Sequence, residues 1–352
     1  MRPSKAFAVI TFLTLLSIFS TALSPTNASE DHSQHLTKLA APTGVVAVPA
    51  STSTVVRFTA VPNATSYKVR LYAVKGENPL RTIAPFNSAD SVSALTPNST
   101  YKITVQALGD GVRYSNSEES RKVSVTTLTC ASGGTCIVGD RGPGGGIVYY
   151  VSATNFTSTG STCNTTCKYL EVAPATWQSG GLTVADDLPY QWSDNRIVTT
   201  AQDSTTPSTE GVAANSTHEK LNWKIGQGFY NTSVMKVSGA TSAAQAVVLA
   251  YAGSDASAGQ WFIPSMNELN ELCKYARGQS TGDPTVACVT GSGTFKSTAN
   301  NAGTDLGGFV EITYWSSSEA VAGAPWDQGF VSGGQSGHNK LNAAYIRPVR
   351  AF

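Results

Sequence analysis

The sequence predicts a two-part fold, an all-β sandwich followed by an α+β domain cross-linked by disulfides. Three observations carry it. Short alternating apolar runs fill residues 40–128 with no helical stretch between them; all six cysteines of the 352-residue chain fall after position 129; and beyond Cys130 the composition shifts to Gly, Ser and Trp around two capped helical segments. At roughly 100 to 200 residues per domain, such a length suits two domains, or three.

Composition narrows the function before any motif is read. Lys and Arg total 24 and Asp and Glu 23, so charged residues make up 13% of the chain and the formal net charge is +1. Surface polarity therefore comes from Ser, Thr, Asn and Gly, without the basic stripe that nucleic-acid binding requires. With 41% hydrophobic residues and six Trp the chain can bury a sizeable core.

The N-terminus reads as a targeting segment. Met1–Lys5 is a short basic start, 6–19 is mostly apolar, and small residues follow, with Thr26-Asn-Ala28 and Ser20-Thr-Ala22 both offering cleavage sites. The apolar run is shorter than the roughly 20 residues a membrane span needs, which favours a removable signal peptide over 1–28 against a retained anchor. With no cysteine before Cys130 there is none at the cleavage site to carry a lipid. No later segment is long and apolar enough to cross a bilayer, so the expected product is exported: secreted or held at the cell surface. Residues 29–39 are polar and aperiodic and read as a flexible leader.

Within 40–128, the runs 54–61, 66–74, 101–107 and 121–127 place apolar side chains at every second position, the period that buries one face of a strand. Pro42-Thr-Gly44, Ala64-Thr-Ser-Tyr67-Lys-Val69 and Leu95-Thr-Pro97-Asn-Ser-Thr-Tyr101 resemble a fibronectin type III domain. The resemblance implies that Tyr101 is a tyrosine corner, its hydroxyl hydrogen-bonded to backbone upstream. Phe58 stands where the family usually carries Trp, and an aromatic of similar shape fills the same core position. Such modules act as spacers or adhesion surfaces, and no Arg-Gly-Asp tripeptide is present.

In the second part, residues 130–352, export makes oxidised thiols the expectation. Cys130 and Cys136, Cys163 and Cys167, and Cys273 and Cys288 are close in sequence, so sequential pairing is expected among the roughly 15 connectivities available. A zinc site using Cys163-x3-Cys167 lacks a second close pair of ligands, and His32, His35, His218 and His338 are scattered. Gly139–Gly146 before Ile147–Val151 is a glycine turn feeding a strand rather than a phosphate cradle, which needs Gly-x-Gly-x-x-Gly or a closing Lys-Ser/Thr. Two main helices are argued. Ser242 caps good helix formers ending at Gly253. Ser265-Met-Asn-Glu268 is a capping box, followed by the apolar stripe Met266, Leu269, Leu272, Cys273 and Ala276 and closed by Gly278. The segment 183–226 reads as loop-rich, and 313–319, 326–330 and 344–350 as strands and turns.

Gly142–Tyr150, Tyr169–Pro174, Trp192-Ser-Asp194, Trp261–Leu269, Tyr314–Glu319 and Tyr345–Arg350 together resemble a bacterial surface domain of the Legionella collagen-like protein C-terminal type, within the C-type-lectin-like superfamily. The resemblance spans nearly all of 137–352 and implies that the strand 147–151 pairs antiparallel with a closing strand 345–349. Trp261–Pro264, Ser265, Glu268 and Ala276–Gly278 are also similar to the formylglycine-generating, sulfatase-modifying enzymes of that superfamily. Those enzymes bind copper through a late pair of reactive cysteines, and nothing after Cys288 is cysteine.

Trp261, Trp315 and Trp326 read as core aromatics, Glu268 as a helix cap, and Ser316–Ser318 with Glu319 as organisers of a turn. A ligand site for a sugar, with or without calcium, is expected where oxygen ligands stand beside Trp: Trp192, Asp194, Asn195, Glu319, Trp326, Asp327 and Gln328. Gly334-Gln-Ser336-Gly-His338 is not the Gly-x-Ser-x-Gly of a serine hydrolase. The carboxylate pairs Asp186/Asp187 and Glu268/Glu271 sit on a loop and on a capped helix without other catalytic features. Seven Asn-x-Ser/Thr sequons (Asn27, Asn63, Asn98, Asn155, Asn164, Asn215 and Asn231) follow from a Ser/Thr-rich surface, given a bacterial resemblance. The expected function is non-catalytic recognition or adhesion, directed at a glycan or another envelope component. A divergent enzyme of the sulfatase-modifying type and a purely structural envelope protein are the alternatives.

Overall fold

The computed structural model describes residues 36–175, 177, 187–193, 221–237, 243–291, 293–297, 307–321 and 324–352. The first part, residues 37–126, is a fibronectin type III-like sandwich. Strands β1 (Thr37–Lys38), β2 (Val46–Pro49), β3 (Thr54–Arg57), β4 (Ser66–Ala73), β5 (Pro79–Phe86), β6 (Ser91–Val92), β7 (Thr100–Leu108), β8 (Tyr114–Ser115) and β9 (Val123–Thr126) follow in order. A three-stranded sheet β2-β3-β6 packs on a four-stranded sheet β5-β4-β7-β9. The inward residues of both, among them Val56, Phe58, Val69, Leu71, Val92, Ile103, Val105 and Val125, form one buried cluster. Phe58 fills the position expected of a core aromatic, 8% exposed with its ring centroid 4.6 Å from that of Tyr67. Tyr101 is the corner the sequence predicts: the Thr96 N–H donates to its hydroxyl at 3.1 Å, and hydrogen bonding with the side chain and then the backbone of Thr96 lowers the pKa of the phenol.

The leader ends earlier than position 39. Strand β1 pairs in parallel with β8, and Leu39 is buried. Its leucine and backbone donors find partners on the sandwich, so polar composition alone misplaces the boundary; the remainder, 29–35, and the segment 1–28 expected to be a signal peptide lie outside the described residues.

The second half contains β10 (Ile147–Phe156), β11 (Cys167–Val172), β12 (Pro189–Gln191), α1 (Gln227–Val237), α2 (Ala243–Ala250), α3 (Met266–Ala276), β13 (Thr313–Val321), β14 (Ala324–Gly329), β15 (Gln335–Gly337), β16 (Ala343–Tyr345) and β17 (Val349–Ala351). They build two sheets, β10-β11-β17 and β12-β16-β13-β14-β15, all antiparallel except β13 against β16. Cysteines pair sequentially, Cys130–Cys136, Cys163–Cys167 and Cys273–Cys288. No helix among the described residues is long and apolar enough to cross a membrane.

Helix α3 carries its capping box as expected: Glu268 returns its carboxylate to the Ser265 N–H at 2.7 Å, and Gly278 stops the helix at φ +70°. Two expectations are corrected. The strand at 147–151 does not pair with the closing strand, because β11 lies between them, with Leu170, Glu171 and Val172 opposite Ala351, Arg350 and Val349. The other side of Val349 is taken by Phe262, bonded in both directions at 2.8 and 3.0 Å. Tyr345 belongs to the other sheet. The helices also number three in the described chain rather than two. Helix α1 went unread because its buried face includes Asn231 and Thr232, satisfied by Asn222 O and Gly228 O, so no apolar stripe marks it.

Candidate functional site

Four of the seven residues expected at a ligand site, Glu319, Trp326, Asp327 and Gln328, lie on the β12-β16-β13-β14-β15 sheet and Trp192 directly follows β12; Asp194 and Asn195 lie outside the described residues. The hairpin β14–β15 sets Asp327 opposite Ser336, and β13–β14 sets Glu319 opposite Pro325. These registers put two carboxylates on one face of the sheet, since alternate residues of a strand share a face.

Each carboxylate meets a base. Asp327 Oδ1 accepts from Ser336 Oγ at 3.2 Å, and Oδ2 contacts Nδ1 of His338. The Asp327 side chain is 2% exposed and that of His338 49%. Burial raises the Asp327 pKa, against the pull of its histidine and serine partners. Deeper in the same face, Glu319 forms an ion pair with Lys340, both side chains fully buried. The ammonium of Lys340 stands 4.7 Å from the ring centroid of Trp192. Trp192 in turn donates its indole N–H to Ser316 O at 2.8 Å.

On the opposite face, Trp326 is half-buried and meets Trp223 edge to face at 4.8 Å. Gln328 is fully buried, its amide donating to Gly333 O at 2.6 Å and accepting from Gln335 at 3.0 Å. The ligand contacts expected of Trp192, Glu319 and Gln328 are therefore corrected. All three are interior, because an ion pair, a cation–π contact and amide hydrogen bonds spend their polar groups inside the protein. What reaches solvent is an edge: the His338 ring, held by Asp327.

The arrangement does not assemble nucleophilic catalysis. A Ser nucleophile must hand its proton to the His, and Ser336 bonds the Asp instead. Glu268 is held by the backbone N–H groups of Ser265 and Gly226, both at 2.7 Å, and Glu271 pairs with Lys274 while accepting from Gly282 N–H at 2.7 Å. Burial pushes Glu268 up to about 7 despite these donors. Among the described residues no group of three or more His, Cys, Asp or Glu is placed to hold a metal ion, and every cysteine is in a disulfide. Ser316, Ser317 and Ser318 lie buried in β13 rather than in a turn. Ser316 Oγ holds Trp326 O at 2.8 Å and Ser318 Oγ holds Asn222 O at 2.7 Å, so the serines dock neighbouring backbone.

Two buried networks escaped the sequence. Asp187 accepts from Trp177 Nε1 at 2.9 Å, Tyr314 Oη at 2.6 Å and the guanidinium of Arg347 at 2.7 Å, joining β13 to the segment after β16. Glu171 receives the N–H groups of Gly144 and Gly146, each at 3.0 Å, with Arg350 at 3.6 Å. The glycine turn thus does bind an anion through its amides, and the anion is a carboxylate of its own chain. Burial outweighs Arg350 and the two amides and pushes Glu171 up to about 7. The visible signal for both networks is arginine in the apolar closing segment Tyr345–Arg350, where a buried cation demands a buried acid.

No protein-family model matches the chain. No curated protein matches it either. Solved structures that are similar include the chicken CNTN1 FN1-FN3 domains, at 20% identity over 25% of this chain and 32% of that one, with a TM-score of 0.22. The FN5 domain of Drosophila Lar is similar at 23% identity over 26% of this chain and 97% of that one, TM-score 0.21. The fn3 domain of human contactin 1 is similar at 21% identity over 25% and 76%, TM-score 0.22. The chain spans about a third of the length of the chicken fragment. The fibronectin type III-like character of the first half stands on its own strand order and core.

Proposed function

We propose that the chain is an exported, non-catalytic recognition or adhesion protein. In this reading the sandwich acts as a spacer and the C-type-lectin-like second domain presents the β14–β15 edge to a glycan or another envelope component. One observation carries it: a half-exposed imidazole, anchored by a buried carboxylate, stands above a floor locked by the Glu319–Lys340 pair. A rigid edge bearing a few oriented polar groups recognises a polyhydroxylated ligand with little ordering cost. The sulfatase-modifying alternative would need a pair of free thiols, and Cys273 and Cys288 are joined and buried.

A glycan array probed with the full secreted chain, with and without calcium, tests the proposal. Binding is expected, and His338→Ala should weaken it by about tenfold, the effect of losing one ligand hydrogen bond. An array without signal, together with turnover of a peptide or sugar substrate, would overturn it in favour of an enzyme.

A further inference from the structure

The two halves meet through the small loop closed by Cys130–Cys136, and this loop is bonded on both sides. Toward the sandwich, Leu128 N–H donates to Ala50 O at 3.1 Å and Thr135 N–H to Ser51 Oγ at 2.6 Å. Toward the second domain, Cys130 and Cys136 pack with Val148 of β10, and Tyr169 and Phe352 close the same small cluster. Just past the loop, Gly139 N–H donates to Val148 O at 2.8 Å, and Val148 N–H donates to Asp140 O at 2.9 Å. Inside the loop, Thr129 and Ser132 cap each other reciprocally and Gly134 N–H closes on Thr129 O at 2.8 Å.

Gly134 shows how closely the halves approach. A Cβ there would lie 2.7 Å from Thr129 O and press against Ser51 Oγ. Ordinary interdomain linkers are polar, exposed and crossed by few contacts, so that domains move independently. This one is short, cross-linked and hydrogen-bonded into both neighbours.

We propose that the Cys130–Cys136 loop is a latch that makes the sandwich and the second domain one rigid body, fixing the angle at which the β14–β15 edge is presented. The latch also forms one wall of a cleft of about 530 Å³, with Pro97 and Leu128 on the sandwich side and Ala131, Ile137 and Arg141 opposite, so the shape of that cleft follows the same angle. The proposal concerns the junction alone and does not depend on what the edge binds.

Amide ¹⁵N relaxation on the full secreted chain reads the junction directly, because each half reports its own rotational correlation time. Equal values are expected for the two halves of the native protein. In Gly134→Ala, where the added methyl wedges the loop from Ser51, and in the double variant Cys130→Ser/Cys136→Ser, the sandwich should tumble faster than the second domain. Unequal values in the native protein, or equal values in both loop variants, would overturn the latch.

Discussion

At the scale of single residues, the buried acids decide most of the behaviour. Glu171 and Glu268 each carry a folded-state pKa near 7, against 4.5 for the free group, because burial penalises the charge more than their donors repay it. The folded state therefore keeps a proton that the unfolded state releases between pH 4.5 and 7. Stability of the second domain should be greatest below about pH 4.5 and fall as pH rises to about 7, by about 3 kcal/mol per group at most. Urea unfolding at pH 4.5 and at pH 7.5 checks the sign, and in Glu171→Gln that acid's share of the slope should vanish. Stability that climbed over this window would contradict the account. Tyr101→Phe makes a separate test in the sandwich. Losing the bond from Thr96 should lower its unfolding free energy by about 1 kcal/mol and leave the second domain untouched.

At the scale of elements, capping and pairing were readable where one residue type has one physical use. Ser265 and Glu268 three apart before an apolar stripe announced α3, since only a helix N-terminus gives both side chains an amide to satisfy. Ser265→Ala should cost about 1 kcal/mol, seen as a shift in the urea midpoint of the second domain, and Ser265→Thr should recover most of it. Helix α1 was illegible for the opposite reason. Asn231 and Thr232 look like surface residues until Asn222 O and Gly228 O are folded against them. The closing strand was misassigned for want of a nonlocal fact: β11 can pair on both sides, and nothing in its own residues says which neighbours it takes. The edge of the candidate site was half legible. Trp326, Asp327 and Gln328 are legible as a Trp beside oxygen ligands, whereas nothing local marks His338 or Lys340 as part of the site. Their partners are eleven and twenty-one positions away in sequence.

At the scale of the whole molecule, the cores stay separate. The sandwich cluster around Val56 and Ile103 shares no residue with the clusters around Leu272 and Trp261, so two unfolding transitions are expected. Cys273 and Cys288 close a loop of sequence separation 15 inside the second domain. Replacing both by Ser should lower that transition by about 3 kcal/mol while the sandwich transition holds its midpoint. Differential scanning calorimetry of the variant against the native chain separates the two, and a matching drop in both transitions would show that the cores unfold as one. By itself the amino-acid order determined whatever depends on neighbours a few positions apart, namely alternating strands, a capped helix and the tyrosine corner, whereas sequential pairing of the cysteines was one connectivity among several until the fold selected it. Only the tertiary structure decided which acid meets which base. Asp187 with Arg347, Glu171 with the glycine turn and Arg350, and Glu319 with Lys340 are matches between distant segments, and a buried charge is tolerated only where folding delivers its partner.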